Sequence, residues 1–192
     1  MRASRSELVL IALLLALVSG CAGADPMREV AAPLPNLPRP GHAMVVFVRP
    51  SSYAAGRSFP VYAFGRGFLG VSRASSWFAT ELPAGPVTFC LRSRSPAVLR
   101  AALAPGKTYY VEVEANWGFW STSGDLLAIK PSGDRWRERE RWLAESRGLT
   151  LADSSAVDGD DVAEALADCK EELASYDDDE LAERTLQRKD GR

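Results

Sequence analysis

Between residues 43 and 130, apolar positions recur in short alternating runs that glycine, proline and serine interrupt. The runs predict eight strands, at residues 43–49, 59–64, 67–72, 77–82, 86–93, 98–103, 107–115 and 125–129. Eight short strands in fewer than ninety residues are typical of an antiparallel sandwich or barrel. One strand, MVVFV at residues 44–48, is apolar on both faces, which predicts a central strand covered on both sides.

After residue 130 the apolar spacing becomes that of helices. Trp136 and Leu143 stand seven apart in a segment rich in Arg and Glu, and Gly148 is its predicted end. A second predicted helix carries one apolar stripe, which we expect to cover the sheet; it consists of Val162, Leu166, Cys169 and Leu173. Residues 131–175 are therefore predicted to be a helical extension, and the highly charged residues 176–192 a frayed helix or disordered tail.

The amino terminus has the pattern of a secretory signal. Arg2 and Arg5 precede an uncharged run at residues 8–18, which as a helix would rise only about 16 Å. Because the hydrocarbon core of a bilayer is roughly 30 Å thick, a permanent spanning helix is not expected. The run ends in VSGC, which resembles the bacterial lipobox, in which the thiol of the cysteine, here Cys21, is acylated before the signal is removed.

On this interpretation residues 1–20 are a lipoprotein signal peptide and Cys21 becomes the first residue of the mature protein. It would carry two palmitate-type acyl chains on a glyceryl thioether and a third on its amine, enough for stable anchoring. An ordinary signal cleaved after residues 22–24 is the alternative. Ala22, in place of Asp, favours the outer membrane in the lipoprotein sorting rule, facing the periplasm. The proline-rich residues 21–42 then read as an extended tether.

Charge is distributed unevenly along the chain. Residues 43–107 hold eight bases against one acid, Glu81, whereas residues 150–183 hold thirteen acids against Lys170 alone. The two regions are expected to associate within the chain, to meet different partners, or to form separate solvated surfaces.

The cysteine count adds a prediction. With Cys21 assigned to lipid, Cys90 and Cys169 remain, an even pair in an oxidising periplasm. Cys90 falls on the mixed face of its strand, opposite Phe89 and Leu91, while Cys169 falls on the apolar stripe of the second helix. If that helix lies across the outer face of the sheet, the two thiols can form a disulfide. The alternative is two unrelated buried thiols.

Three segments in order resemble an uncharacterised bacterial lipoprotein family, domain of unknown function 2846. They are VVFVRPSSYAAG, WFATELPAGPVTFCLRS and LAPGKTYYVEVEA, within residues 43–129. The resemblance implies a small PEGA-like or immunoglobulin-like β-sandwich with no established activity and no catalytic residues to carry over. Residues after Pro131 lie outside it.

Candidate chemistry is sparse. His42 is the only histidine and lies at the end of the predicted tether, so we expect an ordinary linker histidine rather than a catalytic one. The cysteines lack CxxC spacing, and the acidic residues 176–180 lack the pattern of a calcium loop. No catalytic residue, metal or cofactor is therefore expected.

One aromatic segment, NWGFWSTSGD, is a candidate ligand site. Its rings, Trp117, Phe119 and Trp120, are predicted to lie in a loop, where they can stack on sugars or peptides or close one end of the sandwich.

Three functions are consistent with these features. The first is a lipid-anchored envelope protein with a non-catalytic domain that binds or scaffolds another envelope protein or glycan. The second is a binding module for anionic envelope glycans or lipid head groups, and the third is an envelope hydrolase, which needs a convergent polar cluster. A nucleic-acid partner is not expected.

Overall fold

The computed structural model describes residues 25–31, 37–117 and 122–192. Within them, two β-sheets pack face to face around an apolar core, and helices from the second half of the chain lie on their outer faces. The prediction of a mainly β sandwich with C-terminal helices is confirmed. The strands are β1 (Met27–Val30), β2 (His42–Arg49), β3 (Phe59–Ala63), β4 (Gly67–Ser72), β5 (Ser76–Pro83), β6 (Gly85–Leu91), β7 (Ala97–Leu103), β8 (Thr108–Trp117), β9 (Thr122–Ala128), β10 (Arg147–Leu151) and β11 (Thr185–Leu186). The helices are α1 (Asp134–Glu145), α2 (Gly159–Ser175) and α3 (Asp178–Glu183).

Both sheets are mixed, which corrects the expectation of an antiparallel sandwich. The six-stranded sheet has the order β1-β10-β5-β2-β8-β9, and the five-stranded sheet has the order β11-β7-β6-β3-β4. The pairs β2–β8, β10–β5 and β11–β7 are parallel. Parallel neighbours need a long crossover connection. Between β2 and β8 the chain supplies one by passing to the other sheet and back twice, forming β5 on its first return.

The central strand β2 is apolar on both faces, as predicted. Val45 and Phe47 lie in the core between the sheets, while Val46 and Val48 belong to a second cluster on the outer face. The element that covers this outer face is α1, which packs on it through Trp136 and neighbouring apolar side chains. The sequence assigned the covering role to the second helix, which lies instead on the other sheet.

Helix α2 lies across the outer face of the five-stranded sheet and is linked to it by a disulfide. Ala165 and Cys169 are buried there against Tyr62, Cys90 and Val98. Cys90 and Cys169 form the disulfide, with their Cα atoms 5.8 Å apart. The predicted pairing and the predicted docking of the helix are both confirmed.

The basic body and the acidic helix α2 also contact each other through charged groups. Arg92 lies 2.6 Å from a carboxylate oxygen of Glu164 and 3.4 Å from one of Asp161. The two oppositely charged regions therefore associate within the chain at this position.

Strand β10 replaces the predicted end of the first helix. Helix α1 ends at Glu145, and Gly148 belongs to a strand that lies between β1 and β5. A Cβ atom at this glycine would lie 2.9 Å from Cζ2 of Trp77, closer than real Cβ atoms approach. Gly148 is therefore a glycine because the ring of Trp77 packs against the backbone, and not because it ends a helix.

The C-terminal residues differ from the predicted disordered tail. Helix α3 and strand β11 are formed, and Leu186 is fully buried in the core between the sheets. The ring of Tyr176 also packs against the domain, and this burial raises the pKa of its hydroxyl group to about 12. At the last residue, Arg192 exchanges two backbone hydrogen bonds with Thr108. High charge predicts disorder from average composition, but a few apolar side chains and backbone pairs are enough to order this segment.

The predicted tether also contains ordered structure. Strand β1 pairs with β10, and its Met27 is only 3% exposed. The predicted signal peptide and Cys21 lie outside the described residues. Among the helices of the described part, none is long and apolar enough to cross a bilayer.

Candidate functional site

A buried arginine positions the loop that follows β2, residues 50–58. Arg49 is fully buried, and its Nη1 donates to the carbonyl oxygen of Arg57 at 2.7 Å. Its Nη2 donates to the carbonyl oxygens of Tyr53 and Ala54 at 2.7 and 3.0 Å. Ala54 has a φ of 53°, a left-handed conformation that is uncommon for a residue with a side chain. The guanidinium group thus holds a turn that the loop residues alone do not favour.

The charge of Arg49 is not neutralised locally. No carboxylate among the described residues forms an ion pair with it, and its buried Nε has no hydrogen-bond partner there. Its guanidinium carbon lies 4.9 Å from the centre of the Phe59 ring, a cation–π contact. Burial lowers the pKa of Arg49, because desolvation disfavours the charged form. Arginine nevertheless stays protonated in proteins. The end of the sandwich therefore contains a fixed positive charge beneath the loop.

A pocket of about 310 Å³ lies between this loop and the segment that leads into β5. We call it the arginine pocket. The polar residues that line it are Arg57, Arg73, Arg147, Ser52, Ser58 and Ser75. The lining therefore combines cations with hydroxyl groups, and it includes no acidic residue.

Two of these arginines are paired with carboxylates from the first described residues of the chain. Arg73 bonds to Asp25, and Arg147 lies 2.6 Å from an oxygen of Glu29. The hydrogen bond from Arg73 holds the pKa of Asp25 below its usual value. Arg57 forms no ion pair with any described residue. With Arg49 beneath the loop, four arginines stand against two carboxylates around the arginine pocket.

An exposed aromatic pair connects this loop to the end of β8: Tyr53 belongs to the loop, and Trp117 is the last residue of the strand rather than the loop residue predicted. The rings of Tyr53 and Trp117 are stacked, with centroids 6.0 Å apart and planes 16° apart. Tyr53 is 39% exposed and Trp117 is 80% exposed. Trp117 therefore does not close the end of the sandwich, and one face of its ring is open to a ligand. Phe119 and Trp120 lie outside the described residues.

The other residues singled out from the sequence lie elsewhere. His42 is the first residue of β2, and its Nδ1 lies 3.2 Å from the carbonyl oxygen of Pro40. Cys90 and Cys169 are buried in their disulfide. In the described part of the chain, no three side chains of His, Cys, Asp or Glu come together as a metal site would require.

A larger cleft, of about 550 Å³, lies between α3 and the strands β6 and β7. Its charged side chains, Arg100 and Asp178, are of opposite sign. The cleft has no excess charge and no exposed aromatic pair, so the arginine pocket is the better candidate site.

Comparison with known proteins adds no family: no family model matches the chain, and no curated protein matches it significantly. Fold and site together define a mainly β protein with helices on its outer faces and a basic, aromatic surface at one end. The resemblance to domain of unknown function 2846 stays a prediction.

The sequence pattern indicates Trp117 as a candidate residue but gives no sign of the arginine pocket. Arg57, Arg73 and Arg147 are far apart along the chain, so no local motif joins them. One signal was available at Arg49, because it directly continues a strand apolar on both faces and so extends a part of the sheet that is covered on both sides.

Proposed function

We propose that this protein is a lipid-anchored bacterial envelope lipoprotein whose β-sandwich is a non-catalytic binding or scaffolding domain. Residues 1–20 are its signal peptide and acylated Cys21 is its anchor, at the outer membrane facing the periplasm. Support comes from the signal pattern and from the disulfide between Cys90 and Cys169, since structural disulfides persist in oxidising compartments.

The observation that carries the binding function is the stacked Tyr53–Trp117 pair, whose Tyr53 lies in the loop that lines the arginine pocket. Exposed aromatic rings rimmed by cationic and polar residues are typical of a binding site. A hydrolase receives no comparable support. His42 contacts its own linker, and the thiols of Cys90 and Cys169 are consumed by their bond to each other.

Cys21→Ser is expected to abolish anchoring. Without the thiol, no glyceryl thioether forms, and the protein should accumulate as an uncleaved, unlipidated precursor. Mass spectrometry of the purified protein measures the acyl chains and the position of cleavage. Cys90→Ala/Cys169→Ala is the matched control, because it removes two other cysteines and should leave the lipid in place. Mature, acylated protein from the Cys21→Ser variant would contradict the anchor assignment.

The binding surface is testable by site-specific photocrosslinking in intact envelopes. A photoreactive residue at position 52, in the loop, is expected to form adducts with an envelope component at a yield several times that of the same residue at position 66. Position 66 lies in the hairpin after β3, at the opposite end of that strand from the loop. Equal yields at the two positions would show that the loop is not a binding surface.

A further inference from the structure

We infer that the arginine pocket binds the phosphate-bearing head group of an anionic phospholipid in the membrane that holds Cys21. This inference rests on the proposed function, because it takes acylated Cys21 as the anchor. It adds the ligand class and the side of the domain that faces the bilayer.

The distance between the anchor and the pocket supports a membrane ligand. Asp25, which bonds to Arg73 in the pocket, follows Cys21 by only four residues. Four fully extended residues span at most about 14 Å. The proline-rich residues 33–40 follow β1, so they do not separate the sandwich from the anchor. The pocket is therefore held next to the lipid head groups.

The chemistry of the pocket fits a phosphate. Guanidinium groups bind phosphate oxygens through two parallel hydrogen bonds, and the serine hydroxyls supply further donors. The Arg147–Glu29 pair is largely exposed, and exposed ion pairs contribute little to stability. Arg147 can therefore exchange the Glu29 carboxylate for a phosphate at little cost. Arg57 forms no ion pair with a described residue, so phosphate binding there breaks none.

The aromatic pair fits the same orientation. Tryptophan and tyrosine concentrate at the boundary between hydrocarbon and water, where the ring is buried among lipids and its polar group stays hydrated. Tyr53 and Trp117 are exposed. Tyr53 lies in the loop whose neighbouring residues line the pocket, and Trp117, at the end of β8, stacks on Tyr53. They would enter the interface while the arginines hold the head group.

The size of the pocket favours a head group over a glycan chain. At about 310 Å³ it lies at the small end of the range for ligand pockets, roughly 300–1,000 Å³. One phosphate and its glycerol fit this volume, whereas an oligosaccharide needs an extended groove.

The test uses the lipidated full chain in neutral detergent micelles, titrated with short-chain phosphatidylglycerol or phosphatidylcholine. Native mass spectrometry counts the bound lipid and confirms in the same samples that Cys21 is acylated. We expect phosphatidylglycerol to bind at least about tenfold more tightly, and the preference to shrink as salt rises. Arg57→Gln/Arg147→Gln should lower phosphatidylglycerol affinity about tenfold.

The matched control is Arg66→Gln/Arg100→Gln, which removes the same charge from residues that do not line the pocket, one in the hairpin after β3 and one in the cleft beside α3, and should leave the affinity unchanged. Equal urea unfolding midpoints for both double variants exclude misfolding as the cause.

Three results would overturn the inference: equal affinity for the two lipids, equal losses in the two double variants, or inorganic phosphate displacing phosphatidylglycerol at similar concentration. Binding of an anionic oligosaccharide at these arginines, without lipid binding, would also overturn it and assign a glycan instead. Any of these results with acylated Cys21 leaves the proposed function intact, whereas absence of acylation removes the anchor itself.

Discussion

Replacing Cys90 and Cys169 together with alanine is expected to lower the free energy of unfolding by on the order of 4 kcal/mol. The two residues are 79 positions apart, so the disulfide closes a long loop and restricts the unfolded chain strongly. Alanine is the replacement of choice because both positions are fully buried, and a serine hydroxyl there would add a separate desolvation cost. Urea unfolding at neutral pH measures the change.

Removal of the disulfide should loosen the packing of α2 before that of the rest of the domain. Besides the disulfide, this helix has one other fully buried contact residue, Ala165, and its remaining apolar side chains are only partly buried. We therefore expect protease to cut the segment after Asp158 faster in the double variant than in the oxidised protein. Reduction of the wild type should reproduce the effect, and reduction of the double variant should change nothing. Equal stabilities of oxidised, reduced and double-variant protein would show that packing alone holds the helix.

Arg49→Met is expected to destabilise the protein by about 3 kcal/mol. The substitution removes three hydrogen bonds from a charged donor and leaves the carbonyl groups of Tyr53, Ala54 and Arg57 without that partner. Relief from burying an unneutralised cation offsets part of this loss, because the methionine side chain packs in the same space without charge. The net effect is unfavourable because the loop conformation depends on those bonds.

Two further variants separate charge from geometry. Arg49→Lys keeps the charge but lacks the planar guanidinium group that donates to several carbonyls at once. It should therefore recover only part of the stability that Arg49→Met loses. Arg57→Met should have little effect on unfolding, since Arg57 contributes its backbone carbonyl to the Arg49 contact. Hydrogen exchange should rise in residues 50–58 of the Arg49→Met variant. An Arg49→Met protein as stable as the wild type would show that burial of the guanidinium outweighs its hydrogen bonds.

Strand positions followed from local pattern alone. All eight predicted strands are present as β2–β9, because alternation of apolar and polar residues is a property of each strand by itself. The two strands missed in the second half, β10 and β11, are too short for alternation to establish a strand, with five and two residues. Gly148 looked like a helix terminator because its neighbour in space, Trp77, is seventy-one positions away in the sequence.

The disulfide is an intermediate case. The number of cysteines and the faces on which they lie are consistent with a disulfide between Cys90 and Cys169. They are equally consistent with two unrelated buried thiols. The docking of α2 on the five-stranded sheet decided between these alternatives. Likewise, the acidic segment after Tyr176 has the composition of a disordered tail, but the burial of Leu186 in the core orders it.

By itself, the sequence determined the β-rich class, the places of the main strands, the helical second half and the signal-like amino terminus. These features depend on periodicity and composition within short windows. Only the tertiary structure decided the parallel pairings, the sheet that each helix covers and the arginine pocket. The pocket forms because three separate chain segments, which carry Arg57, Arg73 and Arg147, come together at the same end of the sandwich. Contacts of that kind depend on the relative placement of whole strands, which no local pattern records.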